Sequence, residues 1–153
     1  MKKLFILTAI ILIAGNSCQN KNDIDADKQA LIKLAAEDWT MNVLAGKGET
    51  NVESYTEDAL RINHEKILSG KEAIRGAFNL YAKQTTILKL ENKVEDTWIS
   101  GDLATVRGSY SETFIRKEIG DTIYEKGAWV DVCERQADGS WKMALTLITV
   151  INN

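Results

Sequence analysis

The chain has 153 residues, 19 basic against 22 acidic, one histidine, two cysteines and no proline. A formal charge of −3 without any basic cluster argues against nucleic acid as a partner. The length suits one domain with a core of its own, and two cysteines are too few for a disulfide framework.

Lys2 and Lys3 precede an uncharged apolar run at residues 4–14 (LFILTAIILIA), after which come Gly15, Asn16, Ser17 and Cys18. Such a run fits a signal-peptide core of about 7–15 residues and falls short of the roughly 20 that a membrane span needs. With the small Ser17 directly before Cys18, the stretch resembles a bacterial lipoprotein signal. That resemblance implies cleavage before Cys18 and acylation of its sulfur and new amino group. Two or three acyl chains anchor stably, since each buried methylene contributes about 0.8 kcal/mol. The expected layout is a leader at 1–17, a polar tether at 18–26 and one domain at 27–153, exported and lipid-anchored in the periplasm or at the cell surface. Cys133 is then left without an internal partner and reads as a small structural residue.

Residues 27–45 carry a helical stripe of Ile32, Ala36, Trp39 and Val43, ended by Gly46 and Gly48. Thr50 and Glu53 have capping-box spacing, which predicts a short second helix carrying Tyr55. Strands are expected at 59–63 and 66–68. Ser69 and Gly70 lead into a third helix whose marked face holds Ala73, Ala77, Phe78 and Tyr81. Residues 86–100 alternate, with Leu88, Leu90, Val94 and Trp98 on one parity and charged residues on the other, as in a sheet wet on one face. Gly101-Asp102, Gly120-Asp121 and Asp138-Gly139 then punctuate three more strands of a four-strand meander.

Five local patterns stand in register along residues 27–151. They are Trp39 with Gly46, Tyr55-Thr56-Glu57-Asp58-Ala59, Gly70-Lys71-Glu72-Ala73-Ile74-Arg75, Gly101-Asp102 before a strand, and Asp138-Gly139-Ser140-Trp141-Lys142 before the last one. Together they resemble the nuclear transport factor 2-like superfamily, in its SnoaL-like and calcium/calmodulin-kinase-association-like branch. The resemblance implies an α+β, cystatin-like fold: a cone-shaped, strongly curved antiparallel sheet wrapped around three helices, with a pocket at the open end. It also implies that homodimers packed sheet against sheet are common. The superfamily holds isomerases, cyclases, hydrolases, dehydratases and non-catalytic binding domains, so fold alone assigns no function.

Candidate site residues are polar groups on apolar-parity faces. His64, the one histidine, shares a face with Leu60 and Ile62, and its ordinary pKa suits acid–base work. Asp96 lies among Val94 and Trp98, where burial would raise its pKa, unless a bulge before the turn faces it outward. Trp39 and Tyr55 read as pocket lining or as core, Asn92 and Tyr110 as ligand contacts or satisfied core groups.

If the two later glycine pairs are tight turns, Tyr110 lies opposite Val130 and Val130 opposite Leu147. Ser109, Asp131 and Thr146 then line the other face, with Arg107 beside Cys133 and Trp129 beside Ile148. That row, with Trp129, Asp131, Thr146 and Ile148, reads as a dimer interface. With the parity reversed, Asp131 becomes a pocket carboxylate. No spacing suggests a metal centre, a phosphate loop or a nucleophile elbow, and no cofactor is expected. The expectation is a membrane-anchored homodimer binding a small, largely apolar molecule. Its alternatives are an isomerase, dehydratase or hydrolase using His64 or Asp96 as general base, and a non-catalytic dimeric interaction module.

Overall fold

The computed structural model describes residues 21–63 and 66–151. The leader, Cys18 and His64 lie outside these described residues.

Helix begins earlier than the stripe of apolar residues suggests, because residues 21–26 are already helical. Helix α1 spans Lys21–Ile32, passes through one π-helical turn at Lys33–Glu37, and continues as α2 over Asp38–Leu44. Asp23 in the first turn complements the positive end of the helix dipole. Leu31 and Ala35 are buried against the sheet, and Leu34 and Trp39 pack beside them. Gly46, at φ +70°, ends the helix in a conformation other residues resist.

The next turn is 3-10 rather than α-helical, over Gly48–Ser54. Thr50 bonds its hydroxyl back to the Lys47 carbonyl at 2.7 Å, so no capping box forms and Tyr55 opens a strand instead of riding a helix. That strand is β1 (Tyr55–Ile62), followed by β2 (Ile67–Ser69), helix α3 (Lys71–Gln84), and the meander β3 (Thr85–Ser100), β4 (Leu103–Arg116), β5 (Thr122–Arg135) and β6 (Trp141–Val150). The buried face of α3 is Lys71, Ile74 and partly buried Phe78, whereas Ala73 faces water.

The six strands form one curved, unclosed sheet in the order β2-β1-β6-β5-β4-β3. All neighbours are antiparallel except β1 and β6, which run parallel. The helices cover one face, called inner here. Its core holds Leu31, Val52, Tyr55, Ile74, Val106, Trp129, Cys133, Trp141 and Met143.

The β5–β6 register is as expected, with Trp129 opposite Ile148 and Asp131 opposite Thr146. The β4–β5 register is not. Tyr110 pairs with Gly127 rather than Val130, and Val106 rather than Ser109 pairs with Asp131. The cause is the connection: Ile115 pairs with Thr122, so the loop between them is wide and Gly120-Asp121 is not a two-residue turn. A slip of three residues is odd, and an odd slip exchanges the faces. Trp129, Asp131 and Thr146, at 6%, 4% and 4% exposure, therefore point inward with Ile148, and they form no outward row for a partner. The outer face instead carries Val130, Val132, Leu145 and Leu147 across β5 and β6, continued by Leu60 and Ile62 on β1.

Two bulges bend β3, one of them between Val94 and Asp96. Beyond it the parity reverses, so Asp96 and Trp98 face outward. Asp96 pairs with Arg107 at 2.5 Å, and Trp98 is 54% exposed.

The middle of α1 is clamped to the end of β5. Arg135 donates twice to the Asp27 carboxylate, at 2.7 and 2.6 Å, and lies 4.2 Å from the centre of the Trp141 ring. The Arg135 hydrogen bond holds the Asp27 carboxyl below the usual carboxylate range. A depressed pKa adds stability that is present above the unfolded value and is lost as pH falls through the folded one. Asp27→Asn should thus lower unfolding free energy by about 2 kcal/mol at neutral pH. The gap from the native chain should begin to narrow at the ordinary aspartate value and close only as pH falls through the lower folded one. Urea denaturation at neutral pH and at steps downward from the ordinary aspartate value measures both. A gap independent of pH would refute the ionic account.

Candidate functional site

Three aromatic rings meet where α2, α3 and β1 converge. Trp39, Tyr55 and Phe78 pack edge to face, with centroids 5.4 to 6.4 Å apart. Into this cluster β1 sends Arg61, whose guanidinium carbon lies 5.6 Å from the Trp39 ring centre and 5.2 Å from that of Phe78. Arg61 pairs with Thr146 across the parallel β1–β6 ladder, and Thr146 pairs in turn with Asp131 on β5, which places all three on the inner face.

A single-file chain of hydrogen bonds runs from it. Arg61 Nη1 donates to Tyr55 Oη at 2.9 Å, Tyr55 Oη lies 3.1 Å from Thr146 Oγ1, and Thr146 Oγ1 donates to Asp131 Oδ1 at 2.6 Å. Each hydroxyl has one proton, and an ionised carboxylate only accepts. While Asp131 is charged, Thr146 gives its proton to it, Tyr55 gives its own to Thr146, and Arg61 supplies Tyr55. The chain thus links a buried anion to a half-buried cation through two hydroxyls. Burial pushes the Asp131 carboxyl up to about 6, against smaller opposing effects of the Thr146 bond and the Arg61 charge. Desolvation likewise raises the Tyr55 phenol and the Cys133 thiol, so Cys133 stays protonated and inert.

Further along the inner face, toward the β4–β5 loop, two carboxylates sit directly opposite each other, Glu112 on β4 and Glu125 on β5. Tyr81 Oη donates to Glu112 at 3.0 Å and Tyr110 Oη to Glu125 at 2.7 Å. Burial raises the Glu112 pKa, and the Arg61 charge acts against that rise.

The structure brings together Trp39, Tyr55, Asp131 and Thr146. Asn92 serves the fold instead, since its Nδ2 donates to the Ala35 carbonyl of the π turn at 3.1 Å and its Oδ1 accepts from Trp129 Nε1 at 2.8 Å. Tyr110 lies toward the Glu112–Glu125 end, and Asp96 lies on the other side of the sheet. Residue reading missed Arg61, Phe78 and the Glu112–Glu125 pair as site groups. Glu112 shares the parity of Val106, Tyr110 and Phe114, which was a usable signal. Among the described residues no group of three His, Cys, Asp or Glu side chains could hold a metal ion.

No family model matches the chain, and no curated protein matches it. Solved structures do. A ketosteroid isomerase-like protein from Erwinia carotovora atroseptica is similar at TM-score 0.74 and 15% identity, over 88% of this chain and 100% of its own. A nuclear transport factor 2-like superfamily protein from Salmonella enterica serovar Typhimurium is similar at TM-score 0.72 and 13% identity, over 85% and 94% of the two chains. One from Novosphingobium aromaticivorans, described as having a cystatin-like fold, follows at TM-score 0.63 and 14% identity, over 89% and 93%. At such identities the likeness shows the fold alone. The chain has the cystatin-like fold of nuclear transport factor 2-like proteins.

Proposed function

We propose that the inner face binds a small, largely apolar molecule, in a SnoaL-like domain held at a bacterial membrane through Cys18 and paired through the outer face of its sheet. The observation that carries this reading is the Trp39, Tyr55 and Phe78 cluster with the half-buried Arg61 at its edge. Aromatic walls around a few polar tips are what small-molecule sites generally offer. The outer apolar row of Val130, Leu147 and Ile62 supports pairing between copies.

A second reading, proton transfer of the isomerase type, is favoured by Asp131 rather than by His64 or Asp96. A carboxyl poised near pH 6 in an apolar setting is suited to exchange protons near neutrality.

Native mass spectrometry of the full chain, extracted in mild detergent, tests the leading reading in one experiment. The expected species is a dimer, each copy heavier by the acyl chains on Cys18 and retaining a small molecule. Trp39→Ala should retain at least about tenfold less of it. A bare monomer with unmodified Cys18 would overturn all three parts.

A further inference from the structure

Arg61 is under-used. A guanidinium has five N–H donors. Among the described residues Arg61 gives one, to Tyr55, and touches no carboxylate. Trp39 and Phe78 both lie to one side of Arg61, their ring centres 5.6 and 5.2 Å from its guanidinium carbon and 5.4 Å from each other, so the spare donors on its remaining side are what a ligand would meet. One carboxylate on which the Arg61 charge acts, Asp131, is linked to it through Tyr55 and Thr146.

Resting on the reading of the inner face as a small-molecule site, we propose that Arg61 anchors the carboxylate of a small organic acid whose apolar body lies against Trp39 and Phe78. A planar carboxylate matches the guanidinium fork with two parallel charge-assisted bonds. A neutral carbonyl would take fewer donors at lower strength. A phosphate dianion would bring a second negative charge to a face that already holds Asp131, Glu112 and Glu125.

Capture of the anion has a consequence for the proton chain. Once the carboxylate neutralises Arg61, the buried Asp131 loses the one cation that acts on it. The groups facing Asp131 are Thr146 on β6, Arg61 and Tyr55 on β1, and Cys133 on its own strand, none of which supplies another positive charge. The Asp131 carboxyl is thereby pushed further up, and a fraction of the Asp131 side chains takes a proton from solvent as the acid binds. A protonated Asp131 donates to Thr146, and the order of donors through Thr146 reverses. The balance is one organic anion and a fraction of a proton in, no covalent bond changed. Arg61 also faces Tyr55 and Tyr110 and acts on Glu112, whose negative charge opposes the ligand.

The test is titration calorimetry with the full chain in mild detergent, using phenylacetate, indole-3-acetate and cyclohexanecarboxylate beside their amides. Runs at neutral pH in two buffers of different ionisation enthalpy report proton uptake. The acids should bind roughly tenfold tighter than the amides, with net proton uptake of a fraction of a proton per acid bound. Arg61→Met should erase the preference, and Arg61→Lys, which keeps the charge without the fork, should lose most of it. Asp131→Asn should keep the preference but lose the proton uptake, and Glu112→Gln should tighten acid binding several-fold. Equal binding of acids and amides would overturn the carboxylate anchor while leaving the small-molecule reading standing. Binding of neither series would overturn both.

Discussion

Gly108→Ala should destabilise the domain by about 3 kcal/mol or more, a large share of the roughly 5–15 kcal/mol that holds an ordinary domain folded. A Cβ at this position would lie 2.2 Å from the Lys93 carbonyl oxygen and 2.3 Å from the Trp129 ring. Neither can move cheaply. The oxygen belongs to the β3 backbone, and the indole is pinned by its bond to Asn92, which is itself tied to the π turn of the long helix. The glycine is what lets Trp129 lie across β4, so one methyl group would disturb β3, β5 and the helix at once. Gly127, beneath the Tyr110 ring and 2.0 Å from the Thr149 oxygen by the same measure, repeats the device. Gly76→Ala is the matched control. Nothing lies within 4 Å of its added Cβ, and the exchange sits inside α3. It should stabilise by about 0.5–1 kcal/mol. Urea denaturation of the three proteins decides the matter, and a Gly108→Ala protein as stable as the native one would contradict the packing described.

The second large effect is a gain. Asp131→Asn should raise stability at mildly alkaline pH by up to about 2–3 kcal/mol, the free energy of a shift from 3.8 to about 6. The sign follows from proton counting. Between those values the folded state holds a proton on Asp131 that the unfolded state has released. Stability from this group therefore falls as pH rises from about 4 to 6, and the cost is complete above 6. Asparagine keeps an oxygen for the Thr146 hydroxyl and carries no charge to desolvate. The variant should thus lose the slope across that window, so the two proteins converge at its acid end. Denaturation curves across the range measure it; a variant less stable than the native chain at mildly alkaline pH would mean that the charge of Asp131 holds the network together. A natural sequence that keeps a destabilising carboxylate in its core is consistent with use of that group.

What could be read from residues alone divides along physical lines. The four long strands and their order were legible because alternation in β3 and glycine turns are local signals. The β3–β4 turn at Gly101, with φ +62°, is such a signal, and the Ser100 to Leu103 pairing follows from it. The β4–β5 register was not legible, because Gly120 fixes a turn nearby but not the width of the loop around it. One wrong loop width moved Trp129, Asp131 and Thr146 to the wrong face. The burial of Asp131 itself was within reach, since reversed parity made it a pocket carboxylate. Arg61 was hidden for a different reason. A charged residue at an inner position reads as a solvated one unless the rings that cover it, from α2 and α3, are known. The 3-10 turn before Tyr55 shows that capping-box spacing describes a possible bond, and here the Thr50 hydroxyl found a nearer acceptor.

The insertion of β6 between β1 and β5 has a kinetic consequence. The last strand is the keystone: Tyr55 meets Met143 across it, and without it β1 and β2 have no edge to join. Contacts so distant in sequence form slowly, because a long loop must close before they return any free energy. The helices and first strand therefore wait, apolar faces uncovered, until β6 is available. For the exported chain proposed above, that delay would leave the domain unlocked until β6 had crossed with the rest.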